Sequence, residues 1–309
     1  MIPTLQNRSI IAIPPSYDKE ERLEIKSTVG YLKYLKTYGA QCVMTTAGTS
    51  QFNLLTTSEI HELNNCIAAS FEGSKILGIP PVSTTTACDF VCASRDYLGT
   101  DVKLMALYPD RFYSEDAVID YLQRICEAAG DSVYLHTQKM RSGISGDWNY
   151  DCDIINKLYD LGYIVGIKEE HPNLQASYNF VRHLHPDIDV IVAGGSMRRF
   201  AFLESAGANS FLAGVGNLFP DIENEFLAGH DKIKHLQTEA TLFDVFMANG
   251  WHKSLRASLK ILNLTCLNNR NPWPNCDDQC LNQISEAIRE LDIPVSTDCV
   301  FTGDITIDY

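Results

Sequence analysis

The chain has 309 residues, of which 45 % are hydrophobic, so it can bury a large core. Its formal net charge of −14 argues against nucleic acid and anionic membrane surfaces as partners, because both are bound through basic patches. No apolar run approaches the roughly 18 residues that a membrane helix needs, and the N-terminus lacks the basic and apolar segments of a secretion signal. We therefore expect a cytoplasmic protein.

One unit recurs along the chain: a short apolar run rich in β-branched residues, a turn, and an amphipathic helical segment. Strands separated by single helices require right-handed crossovers and a parallel sheet, so eight units in succession predict a closed (β/α)8 TIM barrel. Helix signals agree, as in the segment that opens with a capping box from Thr56 to Glu59. The eight runs begin at Ser9, Gln41, Lys75, Val102, Ser132, Tyr163, Asp189 and Ser210.

An open doubly wound sheet is the alternative architecture. We prefer the barrel because the sequence PPSYD, and not a glycine-rich dinucleotide fingerprint, follows the first run. After the eighth unit the spacing of apolar residues is purely helical. We predict a barrel over 1–230, a C-terminal helical extension packed beside it over 231–293, and a short β-prone tail over 294–309.

Lys168 ends the sixth run, after four uncharged residues that suit a strand buried on both faces. An amine at the edge of an apolar interior loses hydration, which favours the neutral form that attacks carbonyl groups. The alternative is a lysine that merely extends to the surface at a strand end. Because active sites of such barrels lie at the carboxyl ends of the strands, the position of Lys168 favours a catalytic role.

Polar groups also end the second and fifth runs. Gly48, Thr49 and Ser50 form a turn rich in hydroxyl and backbone N–H groups, and Tyr134 lies in the fifth run. This set suits attack on a 2-oxo acid, in which the amine forms an imine, the turn binds the carboxylate and the phenol moves protons.

The glycine-rich ends of the seventh and eighth runs allow a rival interpretation. Gly194 and Gly195 follow one run and Gly214 and Gly216 the other, and turns of this kind cradle a phosphate in many barrels. Lys168 would then be an electrostatic clamp. No helix-opening Gly-Ser or Gly-Thr pair follows the eighth run, which makes this interpretation less favoured.

From about Ser9 to Leu291 the chain resembles the pyruvate-dependent class I aldolases typified by dihydrodipicolinate synthase and N-acetylneuraminate lyase. The sequence GIKEE around Lys168 is similar to the family's Schiff-base strand, and residues 48–52 resemble its carboxylate-binding turn. Tyr134 matches the strand-five tyrosine that shuttles protons. Residues 207–220, GANSFLAGVGNLFP, are similar to the eighth strand of the family.

The resemblance implies a Schiff-base-forming aldolase or lyase that acts on pyruvate or a related 2-oxo acid, with an aldehyde as acceptor. Lys168 would be the imine-forming nucleophile and Tyr134 the general acid and base. No cofactor or metal is implied, because the protonated imine is itself the electron sink, and the usual assembly is a homotetramer built from dimers. The implied substrate contacts are Gly48, Thr49, Ser50, Arg141, Gly194 and Leu212.

The chain departs from the family pattern in three places. Gly48 stands where most members have the first threonine of a Thr-Thr pair, so one hydroxyl of the synthase's proton relay is missing, and the turn is closer to the ketodeoxyglucarate dehydratase branch. The family sequence Asn-Val-Pro-Gly-Arg-Thr is absent after the fifth run, so Arg141 aligns loosely. Other candidates for contact with the second substrate are His136, Gln138 and Lys139, and Tyr108, Phe112 and Tyr113 are candidates for the aromatic residue that enters a neighbouring site.

These departures leave two further hypotheses open. One is a dehydratase of a ketodeoxy sugar acid that uses the same lysine imine. The other is a catalytically impaired barrel that binds a 2-oxo acid.

Overall fold

The computed structural model describes residues 8–95, 101–107, 111–112, 114–137, 141–142, 151–265 and 268–291. Among these residues, eight parallel strands close into a barrel in chain order, with the eighth strand paired to the first. The (β/α)8 barrel predicted from the repeated units is therefore confirmed. The barrel strands, first to eighth, are Arg8–Ala12, Cys42–Met44, Ser74–Gly78, Val102–Leu107, Val133–His136, Ile164–Glu169, Asp189–Val192 and Ser210–Leu212.

Eight helices within the described residues surround the barrel and pack their apolar faces on the strands. Several begin where the sequence supplies a cap: the side chains of Thr56, Ser83, Ser114 and Asn173 each accept a hydrogen bond from a backbone N–H in the first helical turn. The helices are α1 (Ile25–Thr37), α2 (Thr57–Ser70), α3 (Thr84–Ala93), α4 (Glu115–Ala129), α5 (Cys152–Asp160), α6 (Leu174–Arg182), α7 (Ser196–Leu203) and α8 (Pro220–Leu227).

Three more helices form the predicted C-terminal extension: α9 (Lys232–Asn249), α10 (Trp251–Ile261) and α11 (Asp278–Glu290). They pack on one another through buried apolar residues such as Phe246, Leu255 and Ile284. The end of α9 and the start of α10 reach the mouth of the barrel at the carboxyl ends of the strands. Residues 294–309 lie outside the described part of the chain, so the predicted tail stays a prediction.

Strand register fixes which side chains share a level inside the barrel. His136 in the fifth strand lies opposite Lys168 in the sixth, whereas Tyr134 lies opposite Gly166. Gly166 in turn lies opposite Asp189 in the seventh strand. Because side chains alternate between the two faces of a strand, Tyr134 and His136 point the same way but stand at different heights.

The segments after the fourth and fifth strands come together in a small two-stranded parallel sheet, Arg111–Phe112 with Arg141–Ser142. Their side chains are outside the described structure, as are residues 108–110, 113 and 138–140. The roles predicted for Arg141, Gln138 and Lys139, and for the aromatic residues after the fourth strand, therefore stay predictions. Within the described residues, no helix is both long enough and apolar enough to cross a membrane.

Candidate active site

A cavity of about 310 Å³ opens at the carboxyl-terminal mouth of the barrel. It is walled by the ends of the second, fifth, sixth, seventh and eighth strands, and on one side by α9 and α10. This is the location expected for an active site in a parallel barrel. Six of the residues that the sequence made candidates for catalysis or substrate contact line it: Gly48, Thr49, His136, Lys168, Gly194 and Leu212.

Lys168 lies at this cavity with only 3 % of its side chain exposed. Its Nζ atom donates a hydrogen bond to Glu170 Oε2 at 2.5 Å and lies 2.8 Å from His136 Nε2. The same imidazole nitrogen is 2.9 Å from Glu170 Oε2. The amine, the imidazole and the carboxylate therefore form a closed triangle in which each group contacts the other two.

The charge states of the triangle follow from burial and from the neighbouring charges. Burial, reinforced by the charge of Lys168, lowers the pKa of His136 to about 4, so the ring is neutral at neutral pH. For Glu170, burial opposes ionisation, but the charge of Lys168 and the hydrogen bond with His136 hold its pKa below the usual range. The amine thus lies between an anion and a neutral imidazole that can accept or donate a proton.

Tyr134 lies opposite Gly166, and not opposite Lys168, on the neighbouring strand. Its hydroxyl donates a hydrogen bond to Asp189 Oδ2 at 2.6 Å, and its ring lies over Gly166, where an added Cβ would come within 2.6 Å of the ring. Burial and the Asp189 carboxylate both raise the pKa of Tyr134 above the ordinary value of a phenol. It does not line the cavity. The strand alternation allowed either Tyr134 or His136 beside Lys168, and the register selects His136.

The turn after the second strand is held from within by Ser50. Its hydroxyl donates to the carbonyl of Ile13 at 2.6 Å and accepts from the backbone N–H of Thr46 at 3.0 Å, and its side chain is fully buried. Ser50 therefore shapes the turn, and unlike Gly48 and Thr49 it does not line the cavity. The hydroxyl of Thr46 is buried at the cavity wall and has no hydrogen-bond partner within the described residues.

The turns after the seventh and eighth strands are filled by buried carboxylates. Glu223 accepts hydrogen bonds from the backbone N–H groups of Gly214 and Gly216 at 2.9 Å each, and from the hydroxyls of Ser196 and Ser9. A phosphate held by these turns would need the same backbone donors. Because the internal carboxyl group of Glu223 already occupies the backbone donors of the turn after the eighth strand, the phosphate interpretation is not supported.

Glu239 does the same for the start of α7. It accepts hydrogen bonds from the backbone N–H groups of Met197 and Arg198 at 2.9 Å each. Burial raises the pKa of Glu239 to about 7 and also raises the pKa of Glu223. Two internal carboxylates thus satisfy the helix start and the neighbouring turn without any ligand.

The sequence interpretation gave no role to two polar residues of the cavity wall, Glu170 and His252. Glu170 was visible only as one of two acidic residues after Lys168, and its neighbour Glu169 proves to be a fully buried partner of Arg199 at 2.9 Å. His252 comes from α10, far along the chain, so only the tertiary structure brings it to the cavity. Within the described ranges, no group of three or more His, Cys, Asp or Glu side chains could hold a metal ion.

Comparison with known proteins assigns this chain to a family. The model of the dihydrodipicolinate synthetase family matches residues 5–291. No curated protein matches the chain significantly in sequence.

Among solved structures, the 4-hydroxy-tetrahydrodipicolinate synthase of Methylacidiphilum fumariolicum SolV is 19 % identical with a TM-score of 0.76, covering 93 % of this chain and 95 % of its own. Dihydrodipicolinate synthase of Oceanobacillus iheyensis is 18 % identical with a TM-score of 0.76, covering 92 % and 96 %. The sialic acid aldolase of Ruminococcus gnavus is 15 % identical with a TM-score of 0.77, covering 92 % and 99 %. At these identities the likeness shows a shared fold.

Proposed function

Because this chain belongs to the dihydrodipicolinate synthetase family, we propose that it is a class I aldolase or lyase that forms a Schiff base with pyruvate or a related 2-oxo acid. The observation that carries the proposal is the amine of Lys168, which is buried at the cavity wall between His136 and Glu170. An amine is the nucleophile that carbonyl condensation requires, and the neutral imidazole beside it supplies a route for protons.

The chemistry begins with attack of the neutral Lys168 amine on the C2 carbonyl of the oxo acid. His136 has first taken one proton from the Lys168 ammonium, which leaves the amine neutral. As the C–N bond forms, the carbonyl electrons move to oxygen; this oxygen receives one proton from the amine nitrogen and the second from the His136 imidazolium, and it leaves as water. The product is a cationic imine, which the ionised Glu170 stabilises as counter-ion. His136 then removes a proton from C3, and the resulting enamine adds to an aldehyde acceptor. The cleavage direction runs through the same steps in reverse.

The carboxylate of the oxo acid has a place at the turn after the second strand. Gly48 and Thr49 line the cavity there, and the hydroxyl of Thr46 is buried without a partner among the described residues. Buried polar groups in native proteins are almost always hydrogen-bonded, so an unpaired hydroxyl in a cavity wall supports a ligand contact.

Reductive trapping tests the Schiff base. The protein is incubated with pyruvate and cyanoborohydride, and its intact mass is measured. We expect one covalent pyruvyl adduct in the wild type and none in Lys168→Ala. Lys75→Met is the matched control, because Lys75 is also a buried lysine, 3 % exposed and paired with Asp101, but it does not line the cavity. An adduct that survives Lys168→Ala, or a wild type that forms none, refutes the proposal.

Dehydration of a ketodeoxy sugar acid is the second candidate, and the Gly48-Thr49 turn favours it. The same imine would form, and His136 would protonate the leaving hydroxyl. Loss of water from such an acid without release of pyruvate distinguishes dehydration from cleavage. Imine formation without turnover on any aldehyde or sugar acid would instead indicate a binding protein. Assembly as a homotetramer stays a proposal that sedimentation velocity can test.

A further inference from the structure

His252 brings an imidazole from the C-terminal extension to the same cavity as Lys168. It is the second residue of α10, and its ring stacks on Trp273 with a centroid distance of 5.2 Å and an interplanar angle of 27°. The stack holds the ring at the cavity wall, although nothing in the local sequence marks this histidine as a site residue.

The ring of His252 stands over the turn at Gly48. A Cβ atom added at Gly48 would lie 3.3 Å from His252 Cε1 and 3.5 Å from His252 Nε2. The imidazole therefore occupies the space into which a larger side chain at position 48 would project. Gly48 has no side chain, and the ring of His252 fills the space that a side chain at position 48 would occupy.

Two residues of this cavity wall, His252 and Thr46, carry polar side-chain atoms without a partner among the described residues. His252 Nδ1 is buried and has no hydrogen-bond partner within the described residues, and the same holds for the hydroxyl of Thr46 on the same wall. Burial, only partly offset by the charge of Glu170, lowers the pKa of His252, so the ring is neutral at neutral pH and carries one N–H donor. Both residues line the cavity wall, and buried polar groups in native proteins are almost always paired, so these two residues support a polar ligand in this cavity.

We propose that His252 binds the carboxylate of the 2-oxo acid by donating a hydrogen bond from its ring, which lies beside Gly48 at the turn after the second strand. This proposal rests on the function proposed above. It identifies the ligand class as acids whose carboxylate is adjacent to the reacting carbonyl, because Lys168 and His252 line one cavity and would hold these two groups together. His252 is then a specificity-determining residue that the C-terminal extension contributes to the barrel's site.

The test compares pyruvate with its uncharged methyl ester. The half-saturating concentration of each is measured by cyanoborohydride trapping on Lys168, in wild type and in His252→Ala. Loss of a hydrogen bond to a charged group corresponds to a change of roughly tenfold or more, so we expect this increase for pyruvate and little change for the ester. His185→Ala is the matched control, because His185 also stacks on an aromatic ring, Tyr159, at 27° but lies outside the cavity.

Two further variants keep the test decisive. His252→Gln retains a side-chain N–H donor and should keep most of the preference for pyruvate over the ester, even if His252→Ala folds poorly. In the double variant Gly48→Thr/His252→Ala, the threonine enters the space that the ring leaves, and we expect part of the preference to return. Failure of the double variant to recover any preference would overturn the assignment of the carboxylate to the space beside Gly48.

The outcomes separate this inference from the proposed function. A wild type without any adduct refutes the Schiff base itself. An adduct whose preference for pyruvate over the ester is unchanged in His252→Ala refutes only the role of His252. An equal loss of affinity for both ligands would show that His252 merely maintains the shape of the cavity, and it would also overturn the carboxylate contact.

Discussion

Two polar regions lie at the same mouth of the barrel and differ in whether their polar groups have hydrogen-bond partners. Around Gly48 and Lys168, the hydroxyl of Thr46 and the Nδ1 atom of His252 are buried and have no partner within the described residues. Around the turns after the seventh and eighth strands, the backbone donors of Gly214 and Gly216 are paired with the internal carboxylate of Glu223. The described residues leave polar groups of the first region unpaired, whereas they pair the backbone donors of the second region.

The difference teaches that a glycine-rich turn does not by itself indicate an anion site. Both regions present backbone and hydroxyl donors in sequence, and a phosphate site was a reasonable interpretation of the second. Whether such a turn can bind an external anion depends on whether another part of the chain already supplies an acceptor for its hydrogen-bond donors. Glu223 in α8 and Glu239 in α9 do so for the second region.

The largest expected effect is on proton transfer in the region around Gly48, His136 and Lys168, which we call the open region. In His136→Gln the adduct with pyruvate should form more slowly but reach completion on long incubation with reductant. Exchange of the pyruvate methyl protons with solvent deuterium, followed by NMR, should slow by roughly 10²–10⁴-fold, the usual contribution of a general base. An exchange rate close to that of the wild type would show that another group moves the proton.

The closed region comprises the turns after the seventh and eighth strands with Glu223 and Glu239. Substitutions there should change the free energy of unfolding and not the rate of proton exchange on pyruvate. Glu223→Ala leaves buried backbone and hydroxyl donors unpaired, so we expect a loss of more than about 3 kcal/mol in the free energy of unfolding, measured with urea. In Glu223→Gln the amide oxygen can accept from the same N–H groups and the amide nitrogen can donate to Ser9, so the change should stay within roughly 1 kcal/mol. Equal losses in both variants would contradict this account.

The free energy of unfolding should also depend on pH through Glu239 in the closed region. Burial raises the pKa of Glu239 to about 7 from 4.5, so the folded protein holds a proton that the unfolded chain releases. The stability that this group contributes is present below pH 4.5 and is lost as the pH rises through 7. The stability of wild type relative to Glu239→Gln should therefore fall between about pH 5 and 7.5 in urea unfolding series, and a difference that is flat with pH would exclude this titration.

His136 in the open region should give the opposite dependence of the free energy of unfolding on pH. The pKa of His136 falls to about 4 in the folded protein from 6.5, so stability from this group is present above pH 6.5 and is lost as the pH falls toward 4. This contribution disappears in His136→Gln, which provides the control for the series.

The smallest effect distinguishes the two inward residues of the fifth strand. Tyr134→Phe removes the hydrogen bond to Asp189 and should cost about 1–2 kcal/mol of stability in urea unfolding. Proton exchange on pyruvate should stay close to the wild-type rate, because the phenol does not line the cavity. A loss of exchange as large as that of His136→Gln would restore Tyr134 to the proton relay.

Much of the fold could be predicted because its signals are local. All eight apolar runs became barrel strands, and the capping box at Thr56 begins a helix as expected. The position of Lys168 at the mouth followed from the same count, since strand polarity alone sends the carboxyl ends of parallel strands to one side. Apolar spacing and turn chemistry act over a few residues, so the sequence carries them directly.

The sequence by itself determined the barrel and the place of Lys168, and the tertiary structure decided what surrounds the lysine. Alternation along a strand fixes the direction of a side chain but not its height, which depends on pairing with the neighbouring strand, so His136 stands beside Lys168 and Tyr134 stands by Gly166. Contacts made across the fold, such as those of Glu223 and His252, leave no local pattern. These contacts decide which donors remain available for a substrate.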